Sequence, residues 1–146
     1  LFNESNSDTN GLTRDLAKML KAWAHNTTSM SYKSCDRMDD IITFLSENYS
    51  SGKEETSYSK IVFDYYDYMS NHCDEELKSY IDTALGRTRK ALEYEDNDQP
   101  KEASEEWRKI FGGEFPKVTE NPKRESKSES ISSNPIRPWS NSIIKK

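Results

Sequence analysis

Leu77, Tyr80, Ile81, Ala84, Leu85, Thr88, Ala91 and Leu92 recur at i, i+3, i+4, i+7, i+8, i+11, i+14 and i+15. Only a long helix with one buried face satisfies that spacing. Asp74, Glu75 and Glu76 stand at its start, where the positive end of a helix dipole favours anions. A spine of this length must be covered by the rest of the chain. Gly86 inside it costs roughly 1 kcal/mol relative to Ala, which implies another element packed closely against that point.

The covering elements read as helices too. Leu12, Leu16, Met19, Leu20 and Trp23 form one apolar stripe, ended by the polar run from His25 to Ser29. Met38, Ile41, Ile42 and Leu45 mark a second helix from about Cys35 to Asn48, with Ser34 before it as a cap. "SSGKEETS", residues 50–57, is the next loop. In "YSKIVFDYYDYMSNH" the positions of Ile61, Tyr65, Tyr68 and Met69 predict a helix, although the aromatic and β-branched content would also suit a strand. "EDNDQP" breaks the chain, and Pro100 opens a last helix carrying Ala103, Trp107 and Ile110. Gly112 and Gly113 can take the left-handed conformation that ends it, letting Phe115 fold back.

The expected fold is therefore all-α, about five helices over residues 12–116. A polar linker remnant, "LFNESNSDTNG", precedes it at 1–11, and residues 117–146 form a tail too poor in apolar groups to offset its ordering entropy. Within that tail "NPIRPWSNSIIKK" has the makings of a docking peptide, against the simpler reading of plain disorder. Only 32% of the 146 residues are hydrophobic, against 32% charged, so the core is modest. Because the sequence opens on Leu1, with no charged-then-apolar leader and no run long enough to span a membrane, it reads as a piece of a longer soluble protein.

Charge and cysteine usage narrow the function. Residues 117–146 carry seven Lys or Arg against three Glu, so the first 116 residues hold a net −9 of the total −5. A body so acidic is not a duplex-binding surface, which needs clustered cations. Cys35 and Cys73 are too few for a disulfide framework and lack metal-pair spacing, which points to a reducing cytoplasm. Asn26-Thr-Thr and Asn48-Tyr-Ser match the glycosylation pattern but carry no weight there.

Catalytic motifs are sparse. Neither GxxxxGK[ST] nor GxGxxG occurs, and His25 and His72 belong to no zinc-spaced cluster. Asp36, Asp39 and Asp40 at i, i+3 and i+4 could gather around Mg²⁺, but acids in a first turn are explained by the dipole alone. Asp96 and Asp98 form a D-x-D in a turn, without the strand that two-metal phosphoryl transfer uses. Asp64 and Asp67 read as an exposed helix face. Arg14, Lys18 and Lys21 share one face of the first helix, away from its apolar stripe, and Ser34 opens the next helix, where free backbone N–H groups attract phosphate. Residue chemistry alone makes this a weak anion site, with Lys21 otherwise a solvated lysine.

Two stretches carry a resemblance. "LAKMLKAWAHN", residues 16–26, with its Lys-x-Trp element, and "ALEYEDNDQPKEASEEWRKIFGGEFP", residues 91–116, resemble the helical C-terminal lobe of bacterial cGAS/DncV-like nucleotidyltransferases. These are the SMODS-type enzymes of CBASS antiphage defence. The resemblance implies an enzyme that joins ATP or GTP into cyclic oligonucleotides with Mg²⁺. It implies that Lys21, and Ser34 or its competitor Ser31, touch nucleotide phosphates. The family's Gly-Ser element and strand-borne D-x-D do not occur in this sequence, so the metal-holding lobe would have to be supplied from outside it and the chain alone would be inactive. The rival expectations are a free-standing helical module that binds another protein, and a degraded inactive relative.

Overall fold

The computed structural model describes residues 2–9, 11–49 and 57–122. Among them are six helices and no strand: α1 (Phe2–Asp8), α2 (Leu12–Asn26), α3 (Ser34–Asn48), α4 (Tyr58–Ser70), α5 (Glu75–Asp96) and α6 (Pro100–Phe111). The all-α expectation holds, with one helix more than the five expected. None of these helices is long and apolar enough to cross a membrane.

α5 lies between α4 and α6 and packs extensively on both. Its stripe is inward as the spacing requires: Leu77, Ile81, Ala84, Leu85, Thr88 and Ala91 are buried. α4 buries Ile61, Val62, Tyr65, Tyr66 and Met69. Its aromatic residues resolve the helix-or-strand ambiguity because they are buried at helical spacing. Trp23 of α2 meets Tyr66 edge-on, ring centroids 5.1 Å apart, and Phe44 of α3 meets Tyr65 in the same way at 5.4 Å. Such pairs add roughly 0.5–1.5 kcal/mol each beyond the burial of their area.

Four expectations need correction. Within the stretch 1–11, expected as a linker, Phe2–Asp8 form α1, and polar side chains of this segment serve α2. Gly11 occupies the N-cap of α2 with φ 92° and has no side chain to offer the free amides. Asn6 Oδ1 accepts from the Arg14 N–H at 2.8 Å and Thr9 Oγ1 from the Thr13 N–H at 3.2 Å, so α1 caps the next helix. The hydroxyls of Ser5, Thr9 and Thr13 close into one hydrogen-bonded cluster. Secondly, Ser34 is the first helical residue rather than the cap of α3; Lys33, extended at φ −62° and ψ 145°, holds the cap and its carbonyl accepts from the Arg37 N–H at 2.9 Å.

The third correction concerns Gly86. A Cβ built there meets nothing within 4 Å, so no neighbour demands the glycine. Gly86→Ala is expected to raise stability by about 0.5–1 kcal/mol through helix propensity and reduced unfolded-chain entropy, read as a higher urea midpoint at unchanged slope. Fourthly, the tail does not become structureless at Lys117. The Val118 N–H donates to Ser104 Oγ at 3.1 Å, and Asn121 Oδ1 accepts from the Lys101 N–H at 2.8 Å. The chain runs back along α6 and caps its start. Residues 50–56 of the expected loop and residues 123–146 of the expected tail lie outside the described residues; Ser57 caps α4 by accepting from the Lys60 N–H at 3.2 Å.

Pro100 and Gly112 bound α6 as expected, and Phe115 folds back to be buried against Phe111. Of the two glycines only Gly112 has positive φ, 97°. Arg108 Nη1 donates to the Phe115 carbonyl and fixes the reversal.

Candidate functional site

Lys21 is set by its neighbour. Residues two apart on a helix point about 200° from one another, so burying Trp23 turns Lys21 outward. Trp23 is 3% exposed and Lys21 is exposed. The Lys21 side chain makes no ion pair among the described residues. Ser34 is likewise exposed, at the first turn of α3, where the amides of residues 34–36 precede the first intrahelical hydrogen bond at Arg37.

The end of α2 is tied to the end of α6. Asn26 Nδ2 donates to the carbonyls of Lys109 and Ile110 at 3.1 and 3.2 Å, and Arg87 Nη1 of α5 donates to the Lys109 carbonyl at 3.3 Å. These carbonyls are among the last four of α6, which have no partner inside their own helix. Gly112 leaves room for Asn26: a Cβ there would lie 3.2 Å from Asn26 Oδ1, a tight approach. One turn deeper, Trp107 stacks on Phe111 and its Nε1 donates to Glu95 Oε2 at 2.8 Å.

A concavity of about 430 Å³ opens between the starts of α3 and α5. Its rim carries Asp36, Asp39 and Asp40 from α3 with Asp74 and Glu76 from the start of α5, and Met69 and Leu77 contribute apolar atoms. The connection from α2 to α3 forms another wall through Ser31, Tyr32 and Lys33. That connection is held by the Tyr80 hydroxyl, which donates to the Ser29 carbonyl at 3.2 Å, and by Arg37, which donates to the Tyr32 carbonyl at 3.0 Å. Tyr32 donates to Asp40 Oδ2 at 2.5 Å, which leaves the Tyr65 hydroxyl, 2.8 Å away, to donate to Tyr32. Burial holds both phenols far above their ordinary pKa, so they remain protonated. Burial also raises the Asp40 carboxyl; the Tyr32 hydrogen bond opposes this and the charges of Asp36, Asp39 and Asp74 add to it.

Neither Lys21 nor Ser34 lines this concavity; Ser31, the competing serine, does. Of the remaining carboxylate patterns, Asp64 is held by structural partners: it accepts from the Tyr49 hydroxyl and pairs with Lys60 at 3.1 Å. Asp96 ends α5, and Asp98 takes φ 63° in the turn that follows. Among the described residues no group of three or more His, Cys, Asp or Glu is placed to hold a metal. The Mg²⁺ that the resemblance implies would have to be held by residues outside this set.

Sequence reasoning missed the Asn26 clamp, the Tyr32–Asp40–Tyr65 chain and the concavity. Asn26 could have been found as a polar side chain just past an amphipathic stripe. The other two join positions more than thirty residues apart and leave no local mark. No protein-family model, no curated protein and no solved structure matches this chain.

Proposed function

We propose that this chain is the helical half of a cytoplasmic nucleotidyltransferase that joins nucleoside triphosphates into cyclic oligonucleotides in antiviral defence. One observation carries the reading: the two stretches that bear the resemblance, residues 16–26 and 91–116, meet in space, Asn26 of the first closing on the Lys109 and Ile110 carbonyls of the second. In α2, which ends in this clamp, Trp23 is core and Lys21 is free at the surface. In this role Lys21 is a point charge for the phosphates of the donor triphosphate, and Ser34 with the free amides of the first turn of α3 donates hydrogen bonds to them. Mg²⁺, when bound, neutralises charge developing on the triphosphate. The carboxylates for it belong to a partner lobe.

The test uses the protein with whatever its gene encodes ahead of Leu1. A frame encoding Gly-Ser and a D-x-D strand supports the reading; a start codon beside Leu1 overturns it in favour of a helical protein-binding module. With that protein, labelled ATP and GTP and Mg²⁺, Lys21→Ala is expected to lower product formation at least about tenfold, as loss of a phosphate contact does, while the thermal midpoint stays unchanged. Undiminished product formation in this variant rejects the role given to Lys21.

A further inference from the structure

The acidic concavity has no part in the reading above, and neither has the end of the sequence. Residues 134–146, "NPIRPWSNSIIKK", lie beyond the described residues and hold Arg137, Lys145 and Lys146 with no acid, interleaved with Ile136, Trp139, Ile143 and Ile144. We propose that the concavity between the starts of α3 and α5 is an intramolecular docking site for this basic, apolar segment of the same chain. The proposal stands independently of the nucleotidyltransferase reading.

Charge is the first argument. Five carboxylates line the concavity against the single ammonium of Lys33. The starts of α3 and α5 each add only about half a positive charge, so the balance stays strongly negative. The carboxylates already crowd one another, as the influence of Asp36, Asp39 and Asp74 on Asp40 shows. A cation entering relieves that repulsion. Residues 123–146 bring six Lys or Arg against two Glu.

Shape and reach agree. The lining of the concavity is mostly polar, with Met69, Leu77 and Tyr32 nearly buried beneath it, and its volume of about 430 Å³ leaves room for a basic side chain and the backbone that carries it. The described chain ends at Pro122, tied by Asn121 to the start of α6 and hence close to the end of α5, whereas the concavity sits at the start of α5. The 22 residues of α5 separate those points by roughly 33 Å. The 17 residues from Pro122 to Trp139 can extend to roughly 55–60 Å, so the tail spans the distance with slack. Tethering supplies an effective concentration in the mM range, which keeps even a weak peptide docked.

The experiment is a paramagnetic label on the full chain, attached at Asn141→Cys with Cys35→Ser and Cys73→Ser, read on the backbone amide spectrum. Expected is selective broadening of residues 36–40 and 72–77. It should be lost on Arg137→Glu with Lys145→Glu and Lys146→Glu, lost equally on Asp36→Lys with Asp39→Lys, and weakened at about 1 M salt, where screening acts within ~3 Å. The spectrum itself reports that each variant is folded. Unbroadened groove resonances overturn the proposal, as does broadening that survives charge reversal. Broadening that also appears when labelled tail and observed body are on different molecules assigns the site to a second copy and rejects intramolecular docking.

Discussion

Trp107→Ala is expected to cost about 3–5 kcal/mol of stability, the range for deleting a buried tryptophan. That is a large share of the roughly 5–15 kcal/mol that holds a domain of this kind. Three losses coincide at this position. The indole is 2% exposed, it stacks on Phe111, on which the returning Phe115 stacks in turn, and its Nε1 is the donor to Glu95. Trp107→Phe separates them: it keeps most of the apolar contact but removes the donor. Its cost should fall between wild type and Trp107→Ala, and a carboxylate stripped of a hydrogen bond accounts for about 1–3 kcal/mol of it. Urea unfolding followed by far-ultraviolet circular dichroism measures both variants. A loss under about 1 kcal/mol for Trp107→Ala would mean that the aromatic cluster decorates the bundle rather than closes it.

The closing role of this cluster was legible in "PKEASEEWRKIFGGEF", residues 100–115, because every part of it is local: a proline that starts the helix, a glycine that stops it, and aromatic residues at helical spacing between and after. The spine was legible for the same reason, since a stripe running from Leu77 to Leu92 admits one periodicity. What the sequence hid is what depends on distant partners. Asn6 and Thr9 look like linker residues until Gly11 leaves the amides of α2 uncapped and α1 is there to fill them. Ser34 and Lys33 are adjacent, and the helix begins one residue earlier than side-chain preference suggests because a cap residue needs only an extended backbone and a carbonyl. Gly86 reads as a packing constraint, yet no atom opposes it.

The candidate phosphate residues divide in the same way. That Lys21 faces outward follows from Trp23 two positions on. Its position relative to Ser34 depends on the connection of residues 27–33, whose course is set by Tyr80, fifty-one positions beyond Ser29, and by Arg37. The acidic rim was visible as two unrelated first turns, each explained by its own dipole. Their convergence on one concavity is a tertiary fact.

Stability of this fold is expected to fall as pH rises from about 4.5 to 7.5, with Glu95 as the cause. Burial is the largest influence on its carboxyl and raises it from 4.5 to about 7. The Trp107 N–H opposes the rise, as does Ser59, which stands beside the same carboxylate without the geometry of a full hydrogen bond, and the charge of Asp96 adds to it. The sign follows from proton counts. Between the two values the folded chain binds a proton at Glu95 that the unfolded chain has released, so the contribution is present in full below 4.5 and gone once pH passes about 7. The interval corresponds to roughly 3 kcal/mol at 1.36 kcal/mol per pH unit, an upper value because the residue as a whole is only partly buried. Glu95→Gln keeps an oxygen for Trp107 and has no proton to lose. Its stability should match wild type near pH 4.5 and exceed it by up to about 3 kcal/mol at pH 8. Comparing the two chains at each pH cancels every other titrating group, Asp40 included. A difference between wild type and Glu95→Gln that does not change from pH 4.5 to 8 would place the Glu95 carboxylate in solvent and leave Trp107 bonded to an ordinary surface acid.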